Sequence, residues 1–167
     1  GWTPDELSKP QIIVESTFGD SHPGSGHLDK LVNAACKGAA EAGGHGARYF
    51  ATDICDGESQ GTDGINFSLA SREMIANMIE IHANATPFDG GVYISSCDKG
   101  MPANLMGLAR VNIPSVVVTG GTMYQDINTQ NKSSVHIEHQ RTKPEEKDKV
   151  MHKVNVIRES RAVEYAK

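Results

Sequence analysis

The sequence has no long apolar run, few aromatic residues and only three cysteines, and each shortage excludes a class of protein. No stretch of about 18 consecutive apolar residues occurs, so no segment is predicted to span a membrane. Residues 1–15 carry four charged groups and two prolines, which do not form the apolar core of a secretory signal. An odd cysteine count does not favour a secreted disulfide framework, so we expect a cytoplasmic protein.

Basic charge is also in short supply. The 16 Lys and Arg residues are outnumbered by 21 Asp and Glu residues, which gives a formal net charge of -5. This balance excludes a general binder of nucleic acid or of anionic membrane surfaces. The 167 residues are nevertheless enough for one domain with a proper core, and the apolar content of 38% is above that of a disordered chain.

Glycine divides the chain into two parts. All 17 glycines lie in residues 1–123, whereas residues 124–167 contain none and are richer in charge. We therefore expect an α/β domain over residues 1–123 and a divergent tail over residues 124–167, with a charged amphipathic helix from about residue 144. Two interpretations of the tail stay open: it docks on the sheet, or it is unrelated sequence that follows a truncation or frameshift.

Short β-branched runs alternate with helical periodicities along the first part. Strands are predicted at residues 12–14, 49–54, 91–94 and 115–118, and helices at about 28–39, 68–82 and 102–110. The order βαβαβαβ favours a mostly parallel sheet with helices on both faces. In such sheets, ligands bind beyond the carboxyl ends of the strands.

Side chains suited to chemistry follow the first three predicted strands. They include carboxylates, imidazoles and thiols, namely Asp20, Ser21, His22 and His27, then Cys55, Asp56 and Glu58, then Cys97, Asp98 and Lys99. Because these loops converge on one edge of the sheet, hard oxygen ligands and soft sulfur ligands would meet there. The residues alone therefore indicate an α/β domain with a metal site.

Each candidate also has a purely structural interpretation. Cys36 lies among alanines in the first helix and is expected to be core packing, and His82 is expected to be a surface or half-buried helix residue. Cys55 is equally consistent with a small buried residue, and the Asp56-Gly57 pair with a simple turn. Function is favoured for Cys97, because a charged pair follows it directly after a buried run. No CxxC pair, GxGxxG or P-loop pattern occurs.

Four stretches carry a resemblance to one enzyme family. In Ile94–Gly107, a Cys-Asp-Lys triplet followed by Pro and Leu-Met resembles the signature of the dihydroxy-acid and phosphogluconate dehydratase family. Other stretches resemble further parts of this family in the same order: Thr17–Leu28, the Asp56 loop with the helix at 67–76, and Asn112–Met123. The resemblance covers about residues 9–123 and implies an incomplete N-terminal α/β domain. Gly1–Gly26 is most similar to the bacterial D-xylonate (sugar-acid) dehydratase branch.

The resemblance implies a hydro-lyase that removes water from 2,3-dihydroxy acids to give 2-keto acids. The branch similarity implies an aldonate such as D-xylonate as substrate, and the full-length family implies a homo-oligomer. The family uses an iron–sulfur cluster, usually 2Fe-2S, beside a Mg²⁺ ion. The iron would polarise the C3 hydroxyl, and magnesium would stabilise the enolate formed at C2.

The family's site residues carry over to this sequence by motif. Cys97 matches a cluster ligand, and Asp56 and Asp98 match magnesium ligands. Lys99 matches the catalytic lysine that is carbamylated in some members and then binds the metal through an anionic oxygen. Soft thiolate suits iron and hard carboxylate suits magnesium.

The sequence departs from the family pattern at the cluster. The family's first cluster cysteine falls near Gly24, which has no ligand atom. Substitutes are Asp20, His22, Ser25 and Cys55, of which Cys55 is favoured because it offers a thiolate. The third cysteine, the serine base and a further acidic magnesium ligand have no counterpart in this sequence.

Three functions stay open at this point. The first is a hydro-lyase portion that is expected to be inactive alone. The second is a non-catalytic α/β remnant that at most binds a divalent metal. The third and weakest is an anion-binding module without a metal.

Overall fold

One parallel sheet organises the part of the chain that a computed structural model describes, residues 1–121. The strands are β1 at Gln11–Ser16, β2 at His45–Phe50, β3 at Gly90–Ser95 and β4 at Ser115–Thr119, in the order β2-β1-β3-β4. All three pairings are parallel, so the predicted α/β architecture is confirmed. The helix predicted from about residue 144 lies outside the described residues.

One short helix precedes β1, and the other helices occupy the connections between the strands. The helices are α1 at Pro4–Leu7, α2 at Leu28–Glu41, α3 at Asp56–Ser59, a 3-10 helix at Asp63–Phe67, α4 at Ser68–Ala85 and α5 at Cys97–Val111. Among residues 1–121, no helix combines the length and the apolar character needed to cross a membrane.

The core lies in two layers, one on each face of the sheet. Helix α2 packs on one face, where Leu28 and Val32 contact strand residues Val14 and Ile94. Helices α4 and α5 cover the opposite face, which buries Ile13, Ala47, Ile75, Ile79, Ala83, Phe88, Tyr93 and Ala103. The central strand β1 is covered on both faces, as expected of a strand inside a parallel sheet.

The second strand lies earlier in the chain than predicted. The sequence predicted residues 49–54, but β2 pairs His45 with Gln11 and Phe50 with Ser16 and ends there. The prediction for residues 51–54 is wrong because β1 offers no partner beyond Ser16. The backbone N–H of Ala51 makes the last bond, to the Ser16 carbonyl. The chain then turns across the carboxyl edge of the sheet.

The last helix begins earlier than predicted. Pro102 favoured a start at residue 102, but α5 begins at Cys97 and contains Pro102. Proline lacks a backbone N–H, so the helix loses only the bond that would reach the Asp98 carbonyl. The earlier start places the Cys-Asp-Lys triplet in the first turn of α5 rather than in a loop.

A carboxylate is buried in the central strand. Glu15 is 0% exposed, and its Oε2 lies 3.0 Å from His82 Nδ1 on α4. The His82 side chain is 16% exposed, which agrees with the half-buried residue expected, and its ring lies 4.6 Å from that of Tyr49. Burial raises the pKa of Glu15, and the hydrogen bond from His82 opposes that rise.

We expect the stability of the fold to depend on the ionisation of Glu15. Because folding raises this pKa, the protonated carboxyl stabilises the folded state at pH values below the ordinary Glu pKa of about 4.3. That stabilisation is lost as the pH rises through the raised pKa. Glu15→Gln cannot ionise, so its free energy of unfolding should improve relative to the parent as the pH rises. Urea titrations between about pH 4 and pH 7 measure this difference.

The matched control is Glu41→Gln, which changes a carboxylate that is 68% exposed at the end of α2. Its curve of unfolding free energy against pH should run parallel to that of the parent. A Glu15→Gln curve that also runs parallel to the parent would show that the buried carboxylate does not couple folding to pH.

Candidate functional site

Three segments meet beyond the carboxyl ends of β1, β2 and β3. They are residues 17–27 after β1, residues 51–56 after β2, and the first turn of α5 after β3. Hydrogen bonds and ion pairs join them across the edge of the sheet: Lys99 contacts Asp56, which lies 43 residues earlier, and His22 contacts Asp53. This edge is where a doubly wound α/β sheet binds its ligands.

Lys99 lies between two carboxylates. Its Nζ is 2.7 Å from Asp56 Oδ2 and 2.7 Å from Asp98 Oδ2. The Lys99 side chain is 13% exposed, compared with 34% for Asp56 and 73% for Asp98. The structure therefore brings together the three residues that the sequence offered as metal ligands, around one positively charged atom.

The ion pairs shift the ionisation of this cluster. Hydrogen bonds to Asp56 and then to Asp98 raise the pKa of Lys99, which keeps the amine protonated. Burial alone would raise the pKa of Asp56, but the hydrogen bond and charge of Lys99 help to hold it below its ordinary value. Asp56 Oδ1 is buried, and a hydrogen bond from the Ser68 side chain also helps to lower the pKa of Asp56.

Each of the two candidate cluster thiols directly precedes an acid of this cluster: Cys55 comes before Asp56, and Cys97 comes before Asp98. Cys97 is the first residue of α5, is exposed and has a φ of 62°, a left-handed value that is uncommon for a residue with a side chain. Cys55 is half-buried directly before α3. Non-glycine residues with such backbone angles are concentrated at functional sites, which favours a role for Cys97 beyond packing.

Gly24 packs directly against Cys97. A Cβ atom at Gly24 would stand 2.2 Å from Cys97 Sγ and 3.2 Å from His22 Cε1. The position that resembles the family's first cluster cysteine is therefore next to Cys97 in space. With glycine at this position, the sulfur of Cys97 fills the volume that a side chain would take.

A buried pair that the sequence did not identify lies beneath this contact. His22 and Asp53 are each 4% exposed, and His22 Nε2 lies 3.3 Å from Asp53 Oδ1. His22 Nδ1 accepts the backbone N–H of Gly24 at 3.1 Å. Both ring nitrogens are engaged, so His22 is not placed to replace the missing cysteine.

Asp53 was hidden inside a wrongly extended strand prediction. A carboxylate within a run expected to be a buried strand was the available signal, because an acid is rarely buried without a partner. The burial of Asp53 raises its pKa, and the nearby His22 opposes that rise.

The other candidates take peripheral or structural positions. Asp20 and Glu58 are exposed. His27 Nε2 lies 2.8 Å from the Gly120 carbonyl oxygen, which ties the first loop to the turn after β4. Cys36 packs against the α2 core layer, as expected, and burial raises the pKa of its thiol.

The acids, thiols and imidazoles of residues 1–121 do not by themselves form a complete metal site. Across these residues, no group of three or more His, Cys, Asp or Glu side chains is placed to hold a metal ion. The cluster at Asp56, Asp98 and Lys99 contains only two such side chains. A third ligand there has to come from Lys99 as a carbamate or from outside the cluster.

Comparisons with known proteins agree with the motifs. The sequence model of a family described as "Dihydroxy-acid/6-phosphogluconate dehydratase N-terminal" matches residues 9–162, which includes most of the tail after residue 123. A dihydroxy-acid dehydratase of Ruminiclostridium cellulolyticum is 45% identical over 123 residues, which cover 74% of this chain and 22% of the relative.

A second relative gives a slightly longer match. A dihydroxy-acid dehydratase of Vesicomyosocius okutanii is 43% identical over 135 residues, or 81% of this chain and 24% of the relative. The chain therefore spans less than a quarter of the length of the curated relatives it matches.

We expect Gly100→Ala to displace the first turn of α5. The new Cβ would stand 3.0 Å from Asp53 Oδ2 and 3.1 Å from Thr17 Oγ1, both on buried side chains. Forcing the helix away from them should lower the free energy of unfolding by about 1–3 kcal/mol, as overpacking does elsewhere. Urea denaturation measures the loss.

Gly38→Ala in α2 is the matched control, because a Cβ there would meet no atom within 4 Å. That change should stabilise the protein by up to about 1 kcal/mol through helix propensity. The close approach of α5 to Asp53 would be refuted by a Gly100→Ala protein as stable as the Gly38→Ala protein.

Proposed function

Because the chain belongs to the dihydroxy-acid/6-phosphogluconate dehydratase family, we propose that it forms the N-terminal part of a sugar-acid hydro-lyase. The substrate is an aldonate of the D-xylonate type, and the product is a 2-keto-3-deoxy acid. The observation that carries the proposal is the meeting of Asp56, Asp98 and Lys99 at the carboxyl edge of the sheet. The similarity of Gly1–Gly26 to the sugar-acid branch supports the choice of substrate.

The acidic cluster fits a magnesium ion. Two carboxylate oxygens, from Asp56 and Asp98, converge on one cationic atom. Carboxylate oxygens are the ligands that Mg²⁺ prefers in proteins. Asp56, Asp98 and Lys99 as its carbamate would hold the ion. When bound, Mg²⁺ stabilises negative charge on the carboxylate and C2 oxygen of the substrate.

Lys99 has two states in this proposal. As an ammonium it neutralises both carboxylates, which raise its pKa. Carbamylation joins the neutral amine to CO₂ and releases a proton, so it is opposed as long as Asp56 and Asp98 stabilise the ammonium. A divalent cation that compensates the two carboxylates removes that opposition. Lys99 is the residue to which we assign the catalytic role.

The net reaction is the loss of one water molecule. The proton leaves C2, the hydroxide leaves C3, and the resulting enol becomes the 2-keto-3-deoxy acid. Asp56 and Asp98 would hold the cation at the position where the carboxylate end of the substrate binds. Lys99 completes the anionic ligand set once it is carbamylated.

The iron–sulfur cluster fits the described residues less well. Cys97 and Cys55 belong to segments at the same edge, but Gly24 has no ligand atom and Cys36 packs in the α2 layer. Two thiols do not complete the cysteine ligand set of the family's 2Fe-2S cluster. We therefore derive no step through an iron centre. The resemblance remains the support for a cluster, with Cys97 and Cys55 as its candidate ligands.

A non-catalytic α/β remnant that binds only a divalent metal is the alternative. It is favoured by the absence of a ligand atom at Gly24. The two functions differ in whether a sugar acid reacts. The partner of the hydro-lyase is the small-molecule sugar acid, and a homo-oligomer is proposed by analogy with the full-length family.

The magnesium site is tested by calorimetry. We expect Asp56→Ala and Asp98→Ala each to weaken Mg²⁺ binding about tenfold or more, equivalent to about 1.4 kcal/mol, because each removes an anionic ligand. Asp63→Ala is the control, since this exposed carboxylate opens the 3-10 helix and does not take part in the cluster. Unchanged affinity in both cluster variants would remove the assignment.

The hydro-lyase is tested with D-xylonate. We expect D-xylonate to bind the Mg²⁺-loaded protein more tightly than the metal-free protein, because the cation receives its carboxylate. Because this portion is expected to be inactive alone, binding is the readout, and Asp98→Ala should lose the Mg²⁺-dependent gain in affinity. Mg²⁺ binding without any interaction with D-xylonate would instead establish the metal-binding remnant.

A further inference from the structure

We propose that Asp53 and His22 form a positioning pair that holds Gly24 against the sulfur of Cys97 and thereby fixes the direction of the Cys97 side chain. Three contacts connect the pair to that sulfur. Asp53 Oδ1 lies 3.3 Å from His22 Nε2, His22 Nδ1 lies 3.1 Å from the Gly24 nitrogen, and Gly24 lies against Cys97 Sγ.

The hydrogen bonds define the tautomer of His22. Because the Gly24 N–H donates to Nδ1, the ring proton lies on Nε2 and faces the carboxylate of Asp53. A carboxylate behind a histidine commonly fixes the orientation of the ring in this way. Asp53 therefore acts on Gly24 through His22, without touching it.

Asp53 also contacts the helix that carries Cys97. Its Oδ2 packs where a side chain at Gly100 would stand, and Thr17 Oγ1 packs at the same place. The carboxylate thus lies between the first loop, which contains Gly24, and the first turn of α5, which contains Cys97. The relative placement of these two segments depends on this one buried side chain.

Burying an acid costs more free energy than burying an apolar residue of similar volume. Apolar residues of similar volume often stabilise a protein as well as or better than a buried ion pair. Asp53 is 4% exposed, and its carboxylate accepts from Ser25 Oγ at 3.4 Å as well as facing His22. Packing alone would be served by leucine, so the carboxylate is explained better by the polar groups that it orients, His22 among them.

His22 is not placed to act as a base for the Cys97 thiol. Its Nδ1 accepts the Gly24 N–H and its Nε2 faces the Asp53 carboxylate, so both ring nitrogens already have partners. A nucleophilic thiol needs a ring nitrogen within hydrogen-bond reach. The arrangement therefore places His22 and Asp53 in a positioning role, and it argues against Cys–His acyl-transfer chemistry at this edge.

The consequence for catalysis rests on the proposed function, because Cys97 begins the turn that also carries Asp98 and Lys99. In an enzyme with a complete site, a change in the direction of Cys97 should reduce kcat for D-xylonate more than it raises KM. The geometric part of the inference has a separate readout, the rate at which iodoacetamide alkylates Cys97.

The test uses the full chain and follows alkylation of each cysteine by peptide mass spectrometry. We expect His22→Phe and Asp53→Leu to raise the rate at Cys97 about two- to tenfold, the range that corresponds to losing one net hydrogen bond. The rate at Cys36, which packs in the α2 layer, should not change. Circular dichroism establishes that each variant is folded.

Conservative variants separate positioning from general loosening. His22→Asn keeps an oxygen that accepts the Gly24 N–H, and Asp53→Asn keeps an oxygen that accepts the His22 Nε2–H. Both should alkylate at close to the parental rate. His45→Phe removes a histidine at the start of β2, at the opposite end of that strand from the carboxyl edge, and should also match the parent.

The outcomes decide the two claims separately. Parental Cys97 rates in folded His22→Phe or Asp53→Leu overturn the positioning pair, as does an increase in His22→Asn equal to that in His22→Phe. If the apolar variants do not fold, an increase in either asparagine variant overturns the pair, and parental rates in both support it. Absence of D-xylonate binding to the Mg²⁺-loaded parent protein rejects the proposed function and leaves the alkylation result standing.

Discussion

The ammonium of Lys99 is the interaction on which the arrangement of the site depends. It joins Asp56, from the segment after β2, to Asp98, its neighbour at the start of α5. Without a cation at this point, two carboxylates would face each other across the edge of the sheet. The positive charge between them is supplied either by the lysine itself or by a metal ion. The same three residues are therefore compatible with both a metal-free state and a metal-bound state.

Two acids are buried among residues 1–121, and each is paired with a histidine. Glu15 in the central strand pairs with His82, and Asp53 at the edge pairs with His22. The two pairs occupy different parts of the domain. The first lies in the core beneath α4, whereas the second adjoins the site. Burial raises the pKa of both carboxyl groups, which shows that the environment rather than the residue type sets their chemistry.

The sequence could predict the architecture because hydrophobic periodicity and glycine turns are local signals. It also predicted that Asp56, Asp98 and Lys99 would meet, because parallel strands share one carboxyl edge. It could not predict that Asp53 lies outside a strand, because the end of β2 is set by the length of β1, its partner in the sheet. The contact of Gly24 with Cys97 was equally inaccessible, since it depends on how closely α5 approaches the first loop. Pairings between distant segments carry no signature in either segment alone.

The strand order has a consequence for how the chain acquires its shape during synthesis. β1 lies between β2 and β3, and Gln11 bonds to Asp89, which is 78 residues further along. Contacts of such separation slow folding, because a long loop must close before they form. While the ribosome produces the residues between β2 and β3, the middle strand has a neighbour on one side only. The open side is a template for intermolecular pairing during that interval, and it is sealed only when β3 emerges.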